Sequence, residues 1–268
     1  MPAFTCLIFY LNCFYILYDL IKRGYSNKHV ALGFLFFMSS GAFLEAISDV
    51  RCFLSFSMII LAAYRIASRG KVSIFDLIAI AAGCLIHSAA IALTLIVVAF
   101  YLFFMKHKTG AIFRLAVFAI IAFMAVYFGW QYILSMFTKA ESYLSNEKYS
   151  YIWEYLIGFV FAIAIIYSLV VFGKSKKRNI SDFSQTNVFM ITLILVLVSI
   201  VFAWEYNIFH RFITATSLFA SCLVVYNLSK NKSYSDNYYK TILVISCLIL
   251  LIACARGNLC GFKFFELN

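Results

Sequence analysis

The sequence predicts an all-α, polytopic integral membrane protein, and three observations predict it. Apolar runs of membrane length repeat from one end to the other. Charged residues gather in short clusters between those runs. The basic residues are shared unevenly between alternate clusters. Of the 268 residues, 65% are hydrophobic and 12% charged, and the mean hydropathy is +0.95. Soluble domains are about half apolar and about a quarter charged. A soluble core of this length could not hide so much apolar surface, whereas lipid can. Pro2 is the only proline, and no Gly/Ser-rich linker divides the chain, so a single transmembrane domain over 1–268 is expected.

A spanning helix needs about 20 apolar residues. The runs that qualify are 3–21, 29–48, 52–68, 72–105, 111–134, 152–173, 186–205, 211–229 and 240–256. The first lacks a basic front end and carries Asn12 and Asp19, unlike a cleaved leader. The second opens after Lys22, Arg23 and Lys28, and the third follows Arg51 and stops at Arg69-Gly70-Lys71. The fourth is too long for one span. A straight helix over 72–105 would measure about 51 Å at 1.5 Å per residue, against a hydrocarbon core of about 30 Å. Two short helices joined near His87-Ser88 fit better, and they bring the total to about ten membrane segments. Between the later runs lie the loop 135–151, with Glu141, Glu147 and several tyrosines, and the basic cluster 174–178. The loop's sequence does not decide between substrate contact and simple connection. The basic cluster reads as a solvated inner loop.

Charge tests this topology, because inner loops of membrane proteins carry an excess of Lys and Arg. With the N-terminus outside, the inner set is Lys22, Arg23, Lys28, Arg65, Arg69, Lys71, Lys106, Lys108, Arg114, Lys174, Lys176, Lys177, Arg178, Lys230, Lys232 and Lys240. The outer set is only Arg51, Lys139, Lys148, Arg211, Arg256 and Lys263. Were 72–105 a single span, every later loop would change sides and the bias would collapse. Trp130, Trp153 and Trp204 then fall at outer ends, as an aromatic belt requires. The net charge of +11 therefore suits lipid headgroups and topology, not nucleic acid. The eight cysteines lie mostly inside apolar runs with no CxxC, so buried small hydrophobes are expected, with neither disulfides nor a metal site.

Ionisable groups in a membrane are costly and are candidates for function. Here they gather on the outer side. Glu45 and Asp49 are four apart, on one helix face. Arg51 follows, His87 sits at the hairpin tip, and Glu205, His210 and Arg211 mark a later outer junction. Each has a structural reading beside the functional one. Arg51 and Arg211 could be interfacial arginines that snorkel, Glu45 or Asp49 could neutralise Arg51, and His87 could be a turn residue bonded to backbone. Arg65 and Arg69 read as topology anchors, with Asp76 as their partner. Taken as one site, the outer group suits a phosphorylated or pyrophosphorylated lipid, because the arginine fork binds phosphate oxygens two at a time. A carboxylate or histidine could serve as base for an attacking hydroxyl. The chain has no Walker loop, GxSxG or HExxH, which argues against an ATP-driven pump.

The stretch DVRCFLSFSMIILAAYRIASRGKVSIFDLIAIAAGCLIHSAAIAL, from Asp49 to Leu93, resembles the EpsG family, a Wzy-like group of exopolysaccharide, capsule and O-antigen polymerases. Arg51 matches an arginine that opens a membrane helix in that family. Arg69-Gly70-Lys71 matches its basic turn, Gly83 to Ala90 its histidine phrase, and His210-Arg211-Phe212 a later outer arginine. Cys52 stands where the family usually has glutamine. Members are usually longer at the N-terminus, so a naturally short member, a misassigned start codon or a degenerate copy is expected.

The resemblance implies a GT-C/Wzy-like fold in the bacterial inner (cytoplasmic) membrane. It implies a metal-independent glycosyltransferase without cofactors. The donor would be a glycan on undecaprenyl pyrophosphate, and the acceptor a hydroxyl of a second lipid-linked repeat unit. Arg51 and Arg211 would hold the pyrophosphate, and His87, Glu205 or Asp49 would act as base or orient the acceptor. Glu45 and His210 would be substrate contacts. Membrane lipid, a chain-length regulator and a flippase would be its company. Two other classes compete. A flippase of lipid-linked glycan would show paired broken helices, but 72–105 has no counterpart. A membrane acyltransferase would rest on His87 alone.

Overall fold

The computed structural model describes residues 2–40, 50–87, 89–105, 151–176, 183–201, 203, 206–230 and 235–259. Among these every regular element is a helix. They are α1 (Pro2–Lys22), α2 (Asn27–Ser39), α3 (Val50–Arg69), α4 (Ile74–Ile86), α5 (Ala89–Phe100), α6 (Tyr151–Lys176), α7 (Phe183–Val201), α8 (Tyr206–Lys230) and α9 (Ser235–Leu259), with a π-helical turn, Tyr101–Met105, extending α5. The run 111–134, residues 135–150 of the loop 135–151 and residues 41–48 of the run 29–48 lie outside the described residues.

Among the described residues, four helical stretches are long and apolar enough to cross a membrane: Arg51–Arg69, Leu156–Lys174, Ser184–Val201 and Phe209–Ser229. Ile74–Ile86 and Ala89–Phe103 are apolar but shorter. The break between these two falls at His87, and Cys84 Sγ lies 3.2 Å from Thr94 Oγ1 across it, so the long run 72–105 turns sharply there instead of continuing as one helix. Gly24 and Gly70, with φ of +87° and +73°, follow the ends of α1 and α3. Each adopts the left-handed conformation that closes a helix and that glycine adopts without steric cost. At the start of α4, Ser73 and Asp76 form a reciprocal capping box.

The bundle is built around α8. Every side chain from Phe212 to Leu228 is buried, so α8 has no lipid-facing stripe, as expected of a helix surrounded by others. It packs against α2, α6 and α7. By contrast α6 exposes Leu156, Phe159, Val160, Ile163 and Val170 along one side, a face suited to acyl chains.

Side-chain contacts fix the direction of each helix. Along α1 and α3, Asn12 Nδ2 donates to Ser57 Oγ at 3.0 Å, and further on Tyr64 Oη donates to Asp19 Oδ2 at 2.8 Å, so the two run parallel. Arg65 pairs with Asp76 at 2.8 Å while Gly83 lies against Ser55 and Ile59, so α4 returns antiparallel to α3. Phe56 meets Phe212 with ring centroids 6.4 Å apart, and Tyr25, just after α1, meets Tyr226 at 5.3 Å. Hence α8 runs parallel to α3. Gly33 against Ser221 and Val225, together with His29 Nδ1 3.3 Å from Ser229 Oγ, sets α2 antiparallel to α8. Gly158 against Phe209 and Asn227 Nδ2 donating to Ser168 O at 2.9 Å set α6 parallel to it. Ser184 near Arg23, and Tyr238 bonded to Asn227, place the starts of α7 and α9 beside the finish of α1.

The described helices therefore alternate in the sense that the charge distribution predicted. One end of the bundle carries Lys22, Arg23, Lys28, Arg65, Arg69, Lys71, Lys174 and Lys240. The other carries Arg51, Arg211 and Arg256.

Candidate functional site

The sparsely charged end receives four of the residues that the sequence singled out, Arg51, His87, His210 and Arg211. Arg51 is exposed at the second position of α3. Ser55, one turn further along α3, touches Gly83 on α4. One turn beyond Gly83, travelling the opposite way, is His87. The antiparallel pairing thus brings His87 and Arg51 to the same level. Arg211 is half-buried on α8 beside Phe212, which meets Phe56. Counting back from that contact, Arg51 stands about 6 Å further out along the axis than Arg211 at 1.5 Å per residue. His210 is half-buried next to Arg211. Glu45, Asp49 and Glu205 lie outside the described residues.

His87 is woven into its turn. Its backbone N–H donates to Gly83 O at 3.2 Å and its carbonyl accepts from Ala90 N at 3.0 Å. Its ring Nδ1 accepts from Ala89 N at 3.1 Å. The ring is half-buried. Across the same hairpin, Cys84 Sγ and Thr94 Oγ1 lie 3.2 Å apart.

Beneath this end the interior is apolar. A void of about 10 Å³ between α1, α2, α3 and α8 is lined by Phe9, Phe37, Phe53, Phe56 and Leu218, with Ser57 and Thr214 as polar members. Thr214 Oγ1 has no hydrogen-bond partner among the described residues. Among the described residues no group of His, Cys, Asp and Glu is placed to hold a metal ion. Cys13, Cys52, Cys84, Cys222 and Cys247 are free thiols.

The opposite end contains a polar assembly that the sequence reading did not identify. Asp19 Oδ2 accepts from Arg23 Nε at 2.7 Å and from Tyr64 Oη at 2.8 Å. Arg23 Nη1 reaches Ser184 Oγ at 3.2 Å, and Gln185 Nε2 donates to Tyr25 Oη at 2.7 Å. These bonds tie α1 to α3 and α7. The i,i+4 spacing of Asp19 and Arg23 was its one visible signal. Of the anchors, Arg65 takes Asp76 as partner, whereas Arg69 Nη2 donates to Tyr15 Oη at 3.1 Å.

No curated protein and no solved structure matches the chain. The model of the EpsG family matches residues 2–265, so the whole bundle, and not the Asp49–Leu93 stretch alone, carries the likeness. The chain therefore belongs to the EpsG family and is a membrane protein of polysaccharide biosynthesis, in a family of glycosyltransferase-like polymerases.

Proposed function

We propose that the chain joins undecaprenyl-pyrophosphate-linked repeat units into a polysaccharide at the outer face of the bacterial inner membrane. Family membership supports the reaction class. The observation that carries the site is the arrival of Arg51, His87 and Arg211 at one end of the bundle, by way of α3, the α4–α5 turn and α8. That end bears few basic residues, and the positive-inside bias makes such an end the outer one. About ten spans in a GT-C/Wzy-like arrangement complete the reading.

In this mechanism Arg51 and Arg211 grip the pyrophosphate of the donor. Their forks offset the charge that develops on the leaving oxygen. Two guanidinium groups supply the positive charge that a divalent cation supplies elsewhere, so no metal is required. The acceptor hydroxyl attacks the anomeric carbon as the bond to pyrophosphate breaks, and the electron pair of that bond leaves with the pyrophosphate. His87, Glu205 or Asp49 takes the hydroxyl proton or orients the hydroxyl, and Glu45 and His210 touch substrate. A flippase would supply the lipid-linked units, and a chain-length regulator would set when extension stops.

The test is complementation of a polymerase-deleted strain. Wild type should restore long glycan chains. Arg51→Ala, Arg211→Ala and His87→Ala should leave single repeat units on the surface lipid while the protein is present at normal level. Long chains from all three variants would remove the site assignment. A deletion strain lacking any surface units, and not merely long chains, would point to export and so to a flippase.

A further inference from the structure

The turn between α4 and α5 fixes which nitrogen of the His87 ring carries the proton. The first N–H groups of a helix have no partner within it. At the start of α5, the His87 carbonyl accepts from Ala90 N at 3.0 Å and the ring Nδ1 accepts from Ala89 N at 3.1 Å. The ring thus does the work that an Asn or Ser side chain does at other helix starts. An imidazole nitrogen accepts only through a lone pair. A neutral ring with its lone pair at Nδ1 carries its proton at Nε2. His87 is held in the Nε2–H tautomer by the same bond that staples the hairpin.

Resting on the polymerase reading, we infer that His87 serves the site as a hydrogen-bond donor through Nε2–H to a pyrophosphate oxygen of the lipid-linked donor, and not as the base for the acceptor hydroxyl. A base at Nε2 needs its lone pair there and the proton at Nδ1. That proton would face the Ala89 N–H across 3.1 Å, leaving two donors opposed and the amide without its acceptor. A donor role keeps the bond from Ala89 N to Nδ1 in place. His87 stands at the level of Arg51, so the donor and the guanidinium fork address the same depth of the outer end. A donor oriented in advance is the kind that stabilises charge as it develops. No bond to His87 forms or breaks in this role.

Two near-isosteric variants separate the roles. His87→Asn keeps an acceptor near the Nδ1 position and loses the reach of Nε2. His87→Gln keeps a donor at that reach. In the complementation assay His87→Gln should retain long chains within about tenfold of wild type, and His87→Asn should lose them by roughly 100-fold at normal protein level. Long chains from His87→Asn would make the ring a turn staple only and overturn the inference. Loss in both variants at normal protein level would make it a base and overturn it equally. If a variant fails to reach the membrane, ¹⁵N NMR of the wild-type ring in nanodiscs decides. A proton bound to Nε2 supports the donor role, and one bound to Nδ1 overturns it. Arg51→Ala and Arg211→Ala run alongside. Long chains from both would sink the polymerase site itself, while the tautomer read by NMR would stand or fall separately.

Discussion

Arg65 on α3 and Asp76 on α4 form an ion pair with Nε 2.8 Å from Oδ1, and the Asp76 side chain is 1% exposed. The other carboxylate oxygen accepts from Ser73 N at 2.9 Å and from Ser73 Oγ at 2.6 Å. One carboxylate therefore starts α4 and binds it to α3, at the opposite end of the hairpin from His87. Removing one partner of a buried pair leaves the other charge uncompensated.

Asp76→Ala should accordingly destabilise the protein by about 3–5 kcal/mol, with a further cost of about 1 kcal/mol for the lost cap. Denaturant unfolding in detergent micelles measures this directly. Asp76→Leu combined with Arg65→Met should recover most of the loss, because an apolar pair replaces a buried ionic one at little cost. If Asp76→Ala unfolds like wild type, the pair is not what closes this end of the hairpin.

Gly83 should tolerate no large side chain. A Cβ there would stand 3.0 Å from both Ser55 O and Ile59 Cγ1, in the kind of close helix approach that small residues permit in membranes. Gly83→Leu should cost about 1–3 kcal/mol as overpacking and push α4 from α3. His87 lies one turn away, so long-chain synthesis should fall more steeply than protein level does. A Gly83→Leu protein with wild-type glycan would mean that the spacing of α3 and α4 does not position the end that carries Arg51 and His87.

Reporter fusions test orientation. A fluorescent protein fused after Lys71 should fold and glow, because that turn lies at the basic end. A periplasm-dependent phosphatase fused after His87 should be active. The opposite pair of results would invert the bundle and move Arg51 and Arg211 to the cytoplasmic side.

Much of this architecture was legible because membrane constraints are coarse and strong. Length alone forced 72–105 to break, and charge alone forced the break to be a hairpin, which the structure puts at His87. Direction followed from where Lys and Arg fall. The pairing of Asp76 with Arg65 could be guessed from nearby opposite charges, but Arg69 turning to Tyr15 could not. The assembly of Asp19, Tyr64 and Ser184 was hidden because its members are far apart in sequence and singly unremarkable. The central place of α8 was equally hidden. Periodicity cannot tell a helix surrounded by protein from one surrounded by lipid when both surroundings are apolar.

The arginines offer the sharpest test of how the sparsely charged end works. Charge alone would let lysine replace arginine, since both are cations at the same position. A planar fork bonded to two phosphate oxygens at once would not. Arg51→Lys and Arg211→Lys should each therefore keep normal membrane levels yet lose long chains almost as fully as the alanine variants, by roughly 100-fold or more. On the proposed reading both groups would serve one leaving group and act as a unit, so the double variant should fall less than the product of the singles. Glycan length distributions from the complemented strain, scored against protein level, give all three numbers. Activity surviving in the lysine variants would turn the arginines into general attractants for an anionic lipid. Singles that multiply cleanly would place the two residues in independent roles, one of them away from the pyrophosphate.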